Sequence, residues 1–193
     1  SLLAFSGGDS LSMLPKQYGD QKEEILQLAS RRKIYNLVKK FSGCNFRDLE
    51  RKSSLPAGTL QYHLHYLAKH ELIAEKKDGN KLRYFAKDVR PSDHLLLSLL
   101  RQKNIRHLLL LILNHKECRQ QEIVVFLNLS PSTVSWYLSR LMKQNVLAVM
   151  KKEGEHCYRL VPPEKEIIAL LMTFKESFFD KMVDHTIDMW IFR

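Results

Sequence analysis

The sequence has no long uncharged apolar stretch. Among its 193 residues, no apolar run without a charge approaches the roughly 18–20 residues that a membrane-spanning helix needs. We therefore expect no transmembrane helix within this chain. An apolar fraction of 45% still provides enough side chains for a sizeable core. The length suits one large domain or two small ones.

Cysteines are few, and motifs for metals or nucleotides are missing. Cys44, Cys118 and Cys157 are odd in number and widely spaced, which excludes a disulfide framework and is typical of a reducing compartment. The sequence lacks C-x-x-C and H-E-x-x-H spacings and the glycine-rich loops that hold nucleotide phosphates. Since it has no catalytic constellation either, we predict a protein that is not an enzyme and needs no metal or cofactor.

Acidic residues are outnumbered by basic ones. The chain has 31 Lys and Arg against 21 Asp and Glu, which gives a net charge of +10 and a pI near 9.5. Such an excess indicates an anionic partner, either nucleic acid or an anionic membrane surface. Because net charge says nothing about fold, the architecture has to be inferred from the order of the residues.

An internal repeat runs through most of the chain. Residues match at a constant offset of 74 without a gap, as Thr59 does with Thr133. Twelve such pairs are identical, and others are similar, such as Tyr62 with Trp136. An ungapped register over about sixty positions indicates two copies of one structural module.

Each copy has the same order of predicted elements. A helix with apolar residues at helical spacing is followed by a short polar helix, a tight turn and a second amphipathic helix. In the second copy the turn contains Ser130 and Pro131, an N-cap residue followed by proline at the first helical position. A hairpin comes last, and Asp78-Gly79 in the first copy is a strong hairpin signal. This order is that of a winged helix-turn-helix.

We therefore predict a mostly α-helical fold with small β wings, made of two tandem winged helix-turn-helix domains and a long C-terminal helix. The expected boundaries are an N-terminal arm or tether over residues 1–19, a first winged-helix domain over 20–90, a second over 91–161, and a C-terminal helix for dimerisation or docking over 162–193.

The first module also resembles a known family, whose pattern is RRxIY…FREL…GTLxYHL. The matching residues are Arg31, Arg32, Ile34, Tyr35, Phe46, Arg47, Asp48, Leu49, Gly58, Thr59, Leu60, Tyr62, His63 and Leu64. In these features the chain is similar, over roughly residues 20–160, to archaeal transcriptional regulators with tandem winged helices. The resemblance implies a cytoplasmic regulator. Members of that group are often tethered by an upstream helix, and such an anchor would place this chain at the inner face of the membrane.

The helix around residues 57–70 is the candidate reading helix. Leu60, Leu64 and Leu67 form its apolar stripe, so the polar residues face outward. In a helix-turn-helix the second helix lies in the major groove, where glutamine can pair bidentately with adenine. The alternative is a face that is merely solvated. We predict base contacts from Gly58, Gln61, Tyr62 and His65.

The hairpin over residues 75–83 is the candidate wing. It is rich in basic residues, and a basic hairpin beside a reading helix suits anchoring to phosphates. The start of the reading helix also suits a phosphate, because its backbone N–H groups have no partner within the helix. We predict phosphate contacts from Thr59, Lys69, Lys76, Lys77, Lys81 and Arg83.

The second module is less typical of a DNA reader. The corresponding positions hold Ser132, Ser135, Trp136, Ser139 and Lys143. Tryptophan is awkward at a groove-facing position, because only its N–H is polar. The wing of this module mixes lysines with glutamates. Two interpretations stay open: this module binds DNA more weakly than the first, or it has become a protein-contact module.

Two apolar segments exceed what small modules need. The leucine-rich run from residue 94 to 113 is expected either to pack the modules together or to line a dimer interface. Residues after Pro162-Pro163 are expected to form one long helix, unbroken or broken near its end, with apolar stripes on more than one side. For this helix we predict a dimer interface, or docking onto the first module, through Phe174, Phe178, Met182 and Trp190.

The function predicted from these features is that of a sequence-specific transcriptional regulator that binds double-stranded DNA as a homodimer. The alternative is a winged-helix assembly subunit that binds other proteins and little DNA. Trp136 and the mixed charges of the second wing favour that alternative.

Overall fold

The computed structural model describes the backbone of residues 14–192 and the side chains of residues 19–192. Its first domain comprises α1 (Leu14–Ile25), α2 (Ala29–Lys40), α3 (Phe46–Ser53), α4 (Ala57–Lys69), β1 (Ile73–Asp78) and β2 (Lys81–Ala86). Most of the arm predicted for residues 1–19 lies outside the described residues, but its last part belongs to α1. That helix tolerates Pro15 because the proline stands in the first turn, where its missing N–H would have no partner anyway.

Local interactions explain where elements of the first domain begin and turn. Asn45 caps α3 by accepting a hydrogen bond from the N–H of Asp48, with 3.1 Å between N and Oδ1. β1 and β2 pair antiparallel, with Ile73 opposite Ala86. The hairpin between them turns at Gly79, whose φ of +59° costs glycine nothing because it has no Cβ.

The second domain repeats this order. After a 3-10 turn over Pro91–Asp93 it comprises α5 (His94–Leu100), α6 (Lys103–His115), β3 (Glu117–Arg119), α7 (Gln120–Leu127), α8 (Pro131–Lys143), β4 (Leu147–Lys152) and β5 (Glu155–Leu160). Ser130 caps α8 by accepting a hydrogen bond from the N–H of Thr133, as the sequence predicts. The strands form an antiparallel sheet of order β3-β5-β4. The predicted fold of two tandem winged helix-turn-helix domains is confirmed.

Two apolar cores stabilise these domains. The first lies between α2, α3, α4 and the hairpin, and its fully buried members are Ile34, Val38, Leu49, Leu60 and Leu67. The second core is larger and belongs to the second domain, yet it includes Phe85 of β2. The ring of Phe85 is fully buried and stacks on His94, with 3.9 Å between the ring centroids. The two domains therefore share buried apolar surface.

The leucine-rich segment packs the two domains together, one of the two roles that its composition left open. α5 buries nearly all of its side chains, and it approaches the first domain at Gly43, where an added Cβ would lie 3.1 Å from Leu97. Arg101 donates hydrogen bonds to the carbonyl oxygen of Ser42 and the hydroxyl of Ser177, each over 2.7 Å. Burial lowers the pKa of the Arg101 guanidinium to about 10, so it stays charged at neutral pH.

The C-terminal segment forms two helices, α9 (Glu164–Phe178) and α10 (Lys181–Ile191), rather than one. Phe179 adopts a φ of +50° and ends α9, and Asp180 then caps α10 by accepting a hydrogen bond from the N–H of Met182. The predicted dimer or docking residues pack against the core of the second domain, where α10 lies against both α9 and α6. These residues are Phe174 and Phe178, which are buried, and Met182 and Trp190, which are partly buried.

Asp180 also joins α10 to α6 through a buried ion pair. Its Oδ2 accepts a hydrogen bond from Nε of Arg106 at 2.8 Å and lies 2.7 Å from Nε2 of His107. The side chains of Arg106 and Asp180 are only 8% and 9% exposed. Burial alone would raise the pKa of Asp180, but the hydrogen bonds from Arg106 and His107 outweigh it and hold that pKa below its ordinary value of 3.8.

Replacing Asp180 by Asn is expected to lower the free energy of unfolding by about 2 kcal/mol at neutral pH, because buried Arg106 loses its charged partner. Since the folded-state pKa is lowered, the stabilisation by Asp180 is complete above its ordinary pKa of 3.8. It is lost as the pH falls through the lower pKa of the folded state. Urea unfolding of the wild type and the variant at neutral and at acidic pH measures the two effects.

Asp188→Asn, on the exposed side of α10, is the matched control for Asp180→Asn. Equal losses of unfolding free energy in both variants would contradict the expectation.

Candidate nucleic-acid interface

α4 presents its predicted base-reading residues together on one exposed face. Gly58, Gln61, Tyr62 and His65 are all exposed, and the side chain of Tyr62 reaches an exposed fraction of 60%. These positions recur every three or four residues, which places them on one side of a helix, while the leucines of the opposite side are buried. A duplex approaching α4 would meet an amide, a phenol and an imidazole before any core side chain.

The start of α4 remains suited to a phosphate. Thr59 is half-buried there, and Lys69 is exposed at the other end of the helix. Among the described residues, no side chain caps the first turn of α4, whose N-cap residue is Pro56. The backbone N–H groups of that turn are therefore left to water or to an anion.

His63 belongs to the packing of α4 rather than to its outer face. Its side chain is 5% exposed, and its ring meets that of Tyr62 edge-on at 5.1 Å between centroids. Burial, and next the positive charge of Arg31, lower the pKa of His63. A neutral imidazole in this position supports the helix from behind and does not contact a groove.

The first wing, which is the β1–β2 hairpin, exposes three of its four predicted phosphate ligands. Lys76, Lys77 and Lys81 are exposed. Arg83 is a correction: its side chain is only 3% exposed, and its Nε lies 2.6 Å from Oδ2 of Asp78. Its Nη1 donates to the carbonyl oxygen of Gly43 over 2.8 Å. Because these partners occupy the guanidinium inside the domain, Arg83 shapes the wing and cannot reach a phosphate.

The second domain places its five predicted contact residues on one exposed face of α8. This outer face consists of Ser132, Ser135, Trp136, Ser139 and Lys143, and Trp136 is 59% exposed. Unlike α4, α8 has its first turn capped by a side chain, that of Ser130.

In the second wing, which is the β4–β5 hairpin, and in the neighbouring strand β3, basic side chains form ion pairs with glutamates. Lys152 pairs with Glu117, and Nε of Arg119 lies 2.8 Å from Glu155. Apolar side chains are also exposed on this domain, namely Val125, Phe126, Val149 and Met150. The second domain therefore offers fewer free cations and more apolar surface than the first.

Sequence reasoning missed one ion pair between the domains. Nη2 of Arg140, on α8, lies 3.3 Å from Oδ1 of Asp78 at the tip of the first wing. The two residues are 62 positions apart, and no pattern in the sequence connects them. They meet only because α5 and the shared core hold the two domains side by side.

Neither a metal-binding cluster nor a membrane-spanning helix occurs in the part of the chain that the structure describes. Within residues 14–192, no group of three or more His, Cys, Asp or Glu side chains is placed to hold a metal ion. No helix of that range is long and apolar enough to cross a membrane.

Known proteins match both domains. Residues 29–97 match a family described as an N-terminal HTH domain, and residues 101–148 match the winged helix-turn-helix DNA-binding family. An uncharacterized HTH-type transcriptional regulator of Methanocaldococcus jannaschii is 37% identical over 134 residues, which are 68% of this chain and 33% of that protein. The chain thus spans about a third of the length of this relative.

These matches agree with the geometry of both domains. The first is a family of helix-turn-helix domains, and the second is a family of DNA-binding winged helix-turn-helix domains. With two helix-turn-helix domains in tandem, each bearing a wing, the chain is a tandem winged helix-turn-helix protein similar to an archaeal HTH-type transcriptional regulator.

Proposed function

We propose that this chain recognises a specific sequence in double-stranded DNA and regulates transcription there. In this proposal α4 reads the major groove and the first wing holds the backbone. The observation that carries the proposal is the presence, on one domain, of exposed Gln61 and His65 on α4 and three exposed lysines on the adjoining hairpin. The surplus of positive charge over the whole chain supports it, because it attracts the phosphate backbone.

The two kinds of contact have different roles. The amide of Gln61 both donates and accepts, so it can make a bidentate pair with adenine that contributes about 1–3 kcal/mol of discrimination. Tyr62 and His65 add single hydrogen bonds beside it. The lysines of the first wing contact phosphates, which have the same chemistry in every sequence, so they add affinity without discrimination.

Gln61→Ala is expected to reduce the preference for a selected duplex over a random one by about 1–3 kcal/mol, because the amide that pairs with adenine is removed. Lys77→Ala is expected to weaken binding to both duplexes equally and to flatten the salt dependence. The preferred duplex is first obtained by selection from a randomised pool. Fluorescence anisotropy with both duplexes over a series of salt concentrations then measures the affinities.

Gln27→Ala is the matched control for this experiment, because Gln27 is an exposed glutamine that lies outside α4. It should leave both affinities unchanged. If Gln61→Ala reduced specific and random binding by the same factor, as Lys77→Ala is expected to do, the division of roles between helix and wing would be wrong.

We also propose that the protein works as a cytoplasmic homodimer. Of the residues first predicted for the interface, Phe174 and Phe178 are buried within the chain and Met182 and Trp190 are partly buried, so more exposed apolar side chains are better placed to contact a second copy. Phe179, Ile191 and Phe192, near the two ends of α10, are 77%, 57% and 87% exposed. Sedimentation equilibrium of the wild type and of a variant with Ile191 and Phe192 changed to Ser would test this role.

A second candidate function is that of a winged-helix assembly subunit. The exposed Trp136 and the apolar side chains around the second wing favour it, because exposed aromatic residues are common in protein interfaces. This alternative predicts little binding to random duplexes even at low salt. The regulator predicts binding that falls steeply as salt rises, because several phosphate contacts release counterions together.

A further inference from the structure

The tip of the first wing lies against the reading helix of the second domain. Arg140 of α8 contacts both the first wing and the turn between α5 and α6. Its Nη2 lies 3.3 Å from Oδ1 of Asp78, and its Nη1 donates to Oε1 of Gln102 over 3.2 Å. The side chains of Arg140 and Asp78 are 24% and 21% exposed. Since both groups are mostly shielded from water, salt screens this pair less than it screens a fully exposed ion pair.

Arg140 also borders the outer face of α8. Its guanidinium carbon lies 5.8 Å from the ring centroid of Trp136, one helical turn earlier, and Trp136 belongs to the exposed set of that helix. The first wing therefore flanks the C-terminal half of the outer face. The N-terminal half, with Ser132 and Ser135, remains exposed, and that half of a reading helix meets the bases.

The electrostatics of the wing tip fit a phosphate-facing surface. Asp78 stands between Lys77 and Lys81, where an isolated carboxylate would repel DNA. Two guanidiniums, those of Arg83 and Arg140, contact its two oxygens. The carboxylate is thereby neutralised, and the positive charge of the lysines is left to act on the duplex.

We propose that the first wing and the outer face of α8 form one continuous DNA-binding surface, in which the Arg140–Asp78 pair fixes the spacing between α4 and α8. One chain would then read two segments of a single duplex at one preferred separation. This inference rests on the proposed function. Arg140 is a positioning residue here: it contacts the wing and Trp136, and these contact the DNA.

The test is in vitro selection from duplexes with a randomised centre, carried out with the wild type and with Arg140→Gln. The wild type is expected to select two conserved segments of different sequence at one spacing, because α4 and α8 present different side chains, whereas a dimer reading with α4 alone would select one sequence twice. Arg140→Gln should still select both segments, but over a range of spacings, because the wing no longer holds α8. Inserting two base pairs between the segments should weaken wild-type binding by about 10-fold, which corresponds to about 1.4 kcal/mol. The same insertion should weaken binding of the variant much less, because its two reading helices are no longer held at one separation.

Two further variants separate positioning from stability and from charge. Arg140→Lys keeps a cation near Asp78 and should restore most of the spacing preference. Lys165→Gln removes one positive charge from the exposed side of α9 and should leave the spacing unchanged. Thermal unfolding shows whether each variant keeps its fold. If Arg140→Gln does not fold, Asp78→Asn carries the test, because it weakens the same pair from the side of the first wing and should also broaden the range of spacings.

Two results would overturn this inference while leaving the proposed function intact: selection of only one segment by the wild type, or an equally sharp spacing in Arg140→Gln. A wild type that enriches no sequence and binds random duplexes without salt dependence would overturn the proposed function, and this inference with it.

Discussion

Changing Lys76, Lys77 and Lys81 to Gln together is expected to lower the affinity for every duplex, specific or random, by about 100-fold or more at ~0.1 M salt. The three side chains are exposed on one hairpin, and removing each lysine reduces the number of counterions that binding releases from the phosphates. The slope of log affinity against log salt should become shallower by about 0.9 for each lysine that held a phosphate. The ratio of specific to random affinity should hardly change.

Fluorescence anisotropy across a salt series measures both quantities. A variant with Lys103, Lys165 and Lys181 changed to Gln is the matched control, because it removes the same charge from exposed positions outside the first wing. If both triple variants showed the same decrease in affinity and in slope, DNA binding would depend on net charge alone. The first wing would then not be the site that contacts the phosphates.

Phe85→Ala is expected to destabilise the protein by about 3–5 kcal/mol, the cost of removing a large aromatic side chain from a packed core. Phe85 is fully buried and lies on a strand of the first domain, yet it packs in the core of the second and stacks on His94. Its removal should therefore loosen both domains at once and leave a cavity at their junction.

Urea unfolding followed by circular dichroism gives the free energy of unfolding, and a single transition in the wild type would show that the domains unfold together. Met172→Ala is the control, since Met172 is 50% exposed on α9, outside the proposed interfaces, and its truncation should cost less than about 0.5 kcal/mol. A destabilisation of Phe85→Ala as small as that of the control would show that the domains do not depend on this side chain.

Local patterns in the sequence were sufficient for the helix-turn-helix and the hairpin of each domain, although they did not predict α1. Side-chain capping by Ser130, the proline after it and the turn at Gly79 act within a few residues, so their effect can be read without knowing the rest of the chain. The periodic leucines of α4 likewise predict which of its sides is buried. Once that side is known, the outward positions of Gln61 and His65 follow from helix geometry.

Contacts between distant residues escaped these patterns. Arg83 is a residue of the type that commonly binds phosphates. In the folded hairpin, however, its guanidinium N–H groups donate hydrogen bonds to Asp78 and to the carbonyl oxygen of Gly43. Alternation along a strand shows which side chains share one face of the hairpin. It does not show which of the two faces packs against the rest of the domain. A break near the end of the C-terminal segment was one of two expectations, but its position at Phe179 was not predicted. That position depends on Asp180, which accepts a hydrogen bond from the N–H of Met182 on α10 and pairs with Arg106 on α6.

The amino-acid sequence by itself therefore determined two winged helix-turn-helix modules, their order along the chain and the side of α4 that faces outward. These follow from local propensity and from periodicity, which act over one or two helical turns. Only the tertiary structure decided that α5 and Phe85 join the modules, that α9 and α10 pack on the second domain, and that Asp78 meets Arg140. Those contacts depend on how whole elements share buried surface, and that is a property of the assembled fold rather than of any short segment.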